Sequence, residues 1–140
     1  MSGLRLEDLS LGQSAEREWT VSEATLAAFA EVSGDANPLH MDEAYAAASP
    51  FKGRVAHGML VGSYISAVLG MQLPGPGAIY QSQSLKFRRP VRIGDQVLAR
   101  VAITSIDEAK GHVTLSTVCS VAGKRVVDGE AVVVVSRRDG

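Results

Sequence analysis

The chain has 140 residues, of which 46% are apolar and 21% charged, and its one cysteine, Cys119, excludes an internal disulfide. A net charge of -1 gives it no overall attraction to nucleic acid or to an anionic membrane. The N-terminus carries Arg5, Glu7 and Asp8 where a secretory signal would be apolar. We therefore expect one domain over residues 1–140, in the cytoplasm, with neither nucleic acid nor membrane as a partner.

The first half of the chain has the pattern of helices and turns. A short strand is predicted over residues 15–20, followed by a helix that ends at Gly34. Thr20 or Ser22 is placed to cap this helix, and Thr20 has the spacing of a capping box with Glu23. An Asn-Pro pair then forces a turn, and a short helix over 41–48 follows.

The second half contains one apolar helix and several strands. Residues 58–71 form a helix that is apolar on almost every side, which favours burial all round. After a Pro/Gly break, apolar and polar residues alternate with the period of two that is typical of strands. The predicted strands are 79–87, 96–106, 112–121 and 126–135.

A buried helix hides its whole surface only if the sheet curls over it. The order of elements therefore predicts an α+β fold, in which a curved antiparallel sheet wraps around the central helix.

Residues 29–40, FAEVSGDANPLH, carry the candidate chemistry. Asp35 and His40 flank a turn, and their spacing does not bring two side chains together on an unbroken helix. A fold in the chain at Asn37 and Pro38 lets both side chains face one cavity, where a histidine and a carboxylate can share proton transfer and water binding. Asp and Asn also bond their own backbone in turns, so a purely structural role stays open on the residues alone.

The same segment resembles the hydratase motif of the MaoC-like family, which includes the (R)-specific enoyl-CoA hydratases. The matching positions show no departure from the motif, and they are Phe29, Val32, Ser33, Gly34, Asp35, Asn37, Pro38, Leu39, His40 and Ala46. The resemblance continues through VAHGML at 55–60 and covers most of the chain after about residue 20. It implies a single hot-dog domain, in agreement with the pattern of elements.

The resemblance implies that Asp35 and His40 bind one water and add it to a trans-2-enoyl-CoA. The product would be an (R)-3-hydroxyacyl-CoA, and the reverse reaction a dehydration. The N–H of Gly58 would meet the negative charge on the thioester oxygen, and its place at a helix start supports this physically. Ser66, two turns along, would orient Asp35. Coenzyme A enters only as part of the substrate, and no separate cofactor is expected.

Six further residues are candidates for substrate binding, and they are Asn37, His57, Leu69, Arg88, Arg89 and Val132. His57 either faces the ligand or shapes the loop and helix start. Leu69 and Val132 match family positions that line the acyl pocket, although both would be core residues in any case. The basic cluster with Arg88 and Arg89 either contacts coenzyme A phosphates or forms a solvated strand end.

The histidines have no metal-ligand spacing among themselves or with Cys119, so we predict no metal and an inert core thiol. Three alternatives use the same fold: a dehydratase of acyl-carrier-protein thioesters, a non-catalytic acyl-thioester-binding subunit, and a thioesterase. The motif does not distinguish between acyl chain lengths, or between coenzyme A and acyl carrier protein as the carrier. Hot-dog domains usually pair with the ligand between subunits, so we expect a homodimer.

Overall fold

The computed structural model describes residues 3–138, and these form one antiparallel sheet of six strands with four α-helices. The elements in chain order are β1 (Ser14–Thr20), α1 (Glu23–Ser33), α2 (Pro38–Met41), α3 (Glu43–Ala47), α4 (Gly58–Met71), β2 (Ile79–Gln83), β3 (Lys86–Phe87), β4 (Gln96–Asp107), β5 (His112–Val121) and β6 (Lys124–Val134). None of the described helices is long and apolar enough to cross a membrane.

The sheet has the strand order β1-β4-β5-β6-β2, and β3 pairs with β6 beyond the end of β2. The long strands β4, β5 and β6 follow one another as hairpins. The β5–β6 turn places Ala122 at φ 50° and Gly123 at φ 78°. Two successive positive φ values match the right-handed twist of the flanking strands, so this turn fixes their register.

The core lies between α4 and one face of the sheet. Alternate residues of β4 and β5 are buried there: Val97, Ala99, Val101, Ile103, Val113, Leu115, Thr117 and Cys119. From α4, Ile65 and Val68 pack into the same cluster, and Trp19 of β1 stacks on Tyr64 with 4.4 Å between ring centroids. The predicted α+β class is thus confirmed, as is the helix at 58–71.

Two predictions about helices are corrected. Ser22 caps α1 by accepting a hydrogen bond from the Thr25 N–H at 3.2 Å, so the capping box joins Ser22 and Thr25, not Thr20 and Glu23. The helix expected over 41–48 is replaced by α2 and α3, because the Asp42 side chain accepts from the Tyr45 N–H at 3.0 Å and starts a new helix.

The predicted strand 79–87 and the all-round burial of α4 are also wrong. A register shift between Tyr80 and Ser82 and a gap after Gln83 divide the strand into β2 and β3. Ile79 in β2 and Phe87 in β3 are 63% and 55% exposed, and both of these strands pair only with β6 among the described strands. Helix α4 buries one side only and leaves Met59 on the surface.

Candidate active site

The end of α1 directs Asp35 away from the helix. Gly34 adopts the left-handed conformation, φ 79°, and ends the helix there. Ser33 donates through its Oγ to the Phe29 carbonyl at 2.6 Å and accepts from the Asp35 N–H at 3.1 Å. The Asp35 carboxylate, which is exposed, accepts from the Asn37 N–H at 3.2 Å. One carboxylate oxygen is thereby oriented, and the group remains open to a ligand.

His40 is held on α2 with a defined tautomer. The Asn37 side chain caps that helix by accepting from the Leu39 N–H at 3.0 Å. His40 Nδ1 lies 2.7 Å from the Val55 carbonyl oxygen, and a carbonyl only accepts, so Nδ1 carries the proton. In the neutral imidazole, Nε2 then keeps its lone pair. The Arg54 Nε donates to the His40 carbonyl at 2.7 Å and fixes the main chain as well.

Asp35, His40 and Gly58 line one cavity of about 470 Å³. Its walls are largely apolar, and include Leu39, Val55, Ala56, Val61, Phe87, Pro90 and Val91. One carboxylate oxygen of Asp35 and one ring nitrogen each of His40 and His57 lie within 4.8 Å of one another. A water with hydrogen bonds of about 2.8 Å can bridge two atoms up to about 5.6 Å apart, so this upper limit permits a bridging water. The cavity can therefore hold a water between the carboxylate and the imidazole.

The cavity also receives the N-terminus of α4. His57 is the N-cap and makes no side-chain cap. Within residues 3–138, the N–H groups of Gly58 and Met59 have no hydrogen-bond partner, while the next two amides donate to the His57 carbonyl. A Cβ at Gly58 would lie 2.6 Å from the Phe87 ring. Glycine is needed for this close contact, and the free N–H groups can stabilise an anion.

His57 joins the Asp35–His40 pair in space, which the sequence spacing did not reveal. Its ring contacts that of His40, with centroids 4.1 Å apart and the planes tilted by 30°. A carboxylate oxygen and two imidazole nitrogens are also the atoms that bind transition metals, so the structure brings together a possible ligand set that the spacing in the sequence did not suggest. The absence of a metal stays a prediction.

Three residues that the family resemblance assigned to the site lie elsewhere. Ser66 is exposed and lines a second groove of about 520 Å³ on the other side of Met59. No hydrogen bond joins Ser66 to Asp35 in the part of the chain that the structure describes. Leu69 is buried in the core and Val132 is half-buried on β6, and neither lines the cavity or the groove. Their roles stay predictions.

Arg88 and Arg89 are exposed at the mouth of the cavity and differ in their contacts. The Arg88 guanidinium is 3.2 Å from the Asp128 carboxylate, which also lies 3.7 Å from Arg125. Arg89 has no ion pair within residues 3–138. Of these two arginines, Arg89 is the one whose charge is not paired with a carboxylate.

A helix packed against an antiparallel sheet, with a carboxylate, an imidazole and a free helix N-terminus at one cavity, is the arrangement of the hot-dog hydratases. Residues 9–135 match the MaoC like domain, and the chain belongs to that family.

Similar proteins in the family include enzymes with named reactions. The chain is 54% identical to an (R)-specific enoyl-CoA hydratase of Rhodospirillum rubrum, over 94% of this chain and 92% of the relative. It is 44% identical to a 3-hydroxybutyryl-CoA dehydratase of Methylorubrum extorquens, over 97% and 87%. The unliganded R-hydratase PhaJ1 of Pseudomonas aeruginosa superposes with a TM-score of 0.92 at 44% identity, over 97% of this chain and 88% of that one.

Proposed function

We propose that the protein is a lyase that adds water to trans-2-enoyl-CoA, gives (R)-3-hydroxyacyl-CoA, and catalyses the reverse dehydration. The observation that carries this proposal is one cavity in which the Asp35 carboxylate, the His40 imidazole and the amide of Gly58 meet. The names of the similar proteins support the substrate class and the (R) configuration.

The chemistry starts from a water held between Asp35 and His40. Because His40 Nδ1 is engaged by a carbonyl, Nε2 is free to accept a proton from this water. The water oxygen then bonds to the β-carbon, and the electrons of the C=C bond move toward the α-carbon and the thioester oxygen. The acid–base pair returns one proton to the α-carbon, so that one water is added in total.

The thioester oxygen gains negative charge in this step and needs donors that are already in place. The unpaired N–H groups at the start of α4 meet that need, since both Gly58 and Met59 line the cavity. Removing one such donor in other enzymes slows the reaction by about 100- to 1000-fold. The apolar walls strengthen the interaction by excluding water.

The hydratase proposal is tested on wild-type protein with crotonyl-CoA. The expected result is loss of the enoyl-thioester absorbance, with the thioester intact and (R)-3-hydroxybutyryl-CoA as the product. Free thiol in place of the hydrated thioester would mark a thioesterase. If neither crotonyl-CoA, a longer enoyl-CoA nor a carrier-protein thioester reacts, the non-catalytic binding subunit becomes the better description.

We further propose that coenzyme A is the carrier and that Arg89 contacts its phosphates. The exposed position of Arg89 at the cavity mouth and its lack of an ion pair within residues 3–138 support this, whereas Arg88 is held by Asp128. Arg89→Gln should raise the KM for crotonyl-CoA about tenfold, while the kcat and the KM for crotonyl-pantetheine, which has no phosphate, stay unchanged. Arg88→Gln is the matched control with the smaller effect. Equal effects on both substrates would contradict the assignment.

We also propose a homodimer that forms through β2, in the cytoplasm. This strand bonds β6 on one side, and no strand of residues 3–138 pairs with its other side. The exposed apolar residues there include Ile79 and Tyr80. Light scattering should give twice the chain mass of 14.7 kDa, and Ile79→Lys should give the monomer. A wild-type monomer would refute the dimer.

The single buried thiol of Cys119 supports the proposed location in the cytoplasm, because that compartment is reducing.

A further inference from the structure

His57 is enclosed between the two residues of the acid–base pair and α1. Its side chain is 1% exposed although it precedes α4 in the wall of the cavity. The ring contacts that of His40 at a tilt of 30°, and Phe29 contacts it with 4.8 Å between centroids. A histidine that is buried to this degree does not present a polar atom to a substrate.

The two nitrogens of His57 have different surroundings. Nε2 lies 2.9 Å from the Asp35 carbonyl oxygen, which only accepts, so Nε2 carries the proton and donates. Nδ1 is buried and has no hydrogen-bond partner within residues 3–138. The one N–H of the ring is therefore donated to the main chain of Asp35. The buried Nδ1 is left without a partner, which is uncommon for a buried polar atom.

The other hydrogen bonds of Asp35 are local, because its N–H donates to Ser33 Oγ and its carboxylate accepts from the Asn37 N–H, so His57 supplies the contact from outside this turn. The residue is exposed, and it follows a left-handed glycine. His40 is anchored separately, through Val55. His57 thus contacts both residues, Asp35 through a hydrogen bond to its carbonyl oxygen and His40 through its ring.

We propose that His57 is a positioning residue that sets the distance between Asp35 and His40. It acts through them and does not itself exchange a proton with the substrate. The proposal rests on the hydratase function, since the water must fit between the two groups. A displacement of about 1 Å at a reacting group can slow a reaction about 100-fold, so loss of one hydrogen bond at this position should be visible in the rate.

The test compares three substitutions of His57, with kcat and KM for crotonyl-CoA as the readouts. His57→Gln keeps an N–H donor near the position of Nε2, His57→Asn is too short to place one there, and His57→Phe keeps the ring without the donor. We expect His57→Phe and His57→Asn to lower kcat at least about tenfold with an unchanged KM, and His57→Gln to recover most of it. His112→Gln, at the start of β5, is the control for loss of a histidine.

A double substitution separates positioning from a general loss of folding. If His57 acts through Asp35, His57→Phe should not slow the Asp35→Asn protein further, because the group that it positions is already gone. If His57→Phe does not fold, the Gln and Asn variants decide between the alternatives, and equal kcat values for these two would overturn the proposal. An additional tenfold loss on top of Asp35→Asn would also overturn it. An inactive wild type would instead refute the hydratase function itself.

Discussion

The sheet and the segment 34–57 are held in place by different interactions. The central strands β4 and β5 bury every second residue against α4, and most of these side chains are fully enclosed. The segment 34–57 is largely exposed, and side chains that bond the main chain fix it instead. Apolar burial is non-directional, whereas hydrogen bonds specify the position of single groups. Substitutions in the sheet should therefore change stability, and substitutions in the segment should change the rate.

The largest effect is expected for His40→Ala, which removes the imidazole but little of the core. We expect kcat for crotonyl-CoA hydration to fall by about 100- to 10,000-fold, because the proton acceptor is lost. The thermal midpoint should change little, since His40 lies on a short helix outside the apolar core. An unfolded His40→Ala protein would mean that the segment also carries stability, and would break the comparison.

The opposite result is expected for Leu115→Ala in β5. Leu115 is completely buried, so its truncation should lower the free energy of unfolding by about 2–5 kcal/mol. The kcat of the folded fraction should stay at the wild-type value. Leu11→Ala is the matched control, because Leu11 is 68% exposed and should change stability by less than about 0.5 kcal/mol. Similar losses for both leucines would contradict the assigned core.

Gly58→Ala tests the boundary between the two regions, where α4 meets the cavity. The added Cβ would lie 2.6 Å from the Phe87 ring, which must move. We expect kcat/KM to fall about tenfold, and Phe87→Ala to restore part of it in the double variant. Gly70→Ala is the control on the same helix. Its Cβ meets nothing within 4 Å, so it should keep activity and raise stability by up to about 1 kcal/mol.

The smallest effect is expected for Cys119, which lies in the core between the sheet and α4 and makes no contact with the cavity. Burial raises the pKa of its thiol to about 12, so the thiolate is absent at pH 8. Iodoacetamide should leave the folded protein unlabelled and label one thiol after urea. The raised pKa also makes the stability of the protein depend on pH, because the unfolded thiol ionises above about pH 8.5 and the folded one does not. Stability should fall as the pH rises above that value, and rapid labelling of the folded protein would contradict the buried position.

The sequence predicted the parts of the molecule that follow from local pattern. Helix α4 and strand β5 were placed at their observed bounds, because apolar periodicity and the Pro/Gly break are local signals. The prediction of one strand over 79–87 was wrong. Its division depends on a bulge and on the edge of the sheet, and the alternation of apolar and polar residues encodes neither.

The site was predicted in part, for the same reason. The motif identified Asp35, His40 and Gly58, which do line one cavity. The contacts of His40 with Val55 and His57 come from residues far along the chain, so no spacing rule could give them. The resemblance placed His57 in the VAHGML motif, but it did not predict the hydrogen bond between His57 and the Asp35 carbonyl oxygen.

The central claim is that Asp35 belongs to the reaction and not to the fold. The most direct test measures kcat for crotonyl-CoA hydration and the thermal midpoint on the same preparation of Asp35→Asn. Asp107→Asn serves as a matched control, an exposed aspartate in a distant β-hairpin. We predict that Asp35→Asn lowers kcat at least about 100-fold with little change in the thermal midpoint, while Asp107→Asn keeps its rate. An Asp35→Asn protein that hydrates crotonyl-CoA at the wild-type rate would contradict the account.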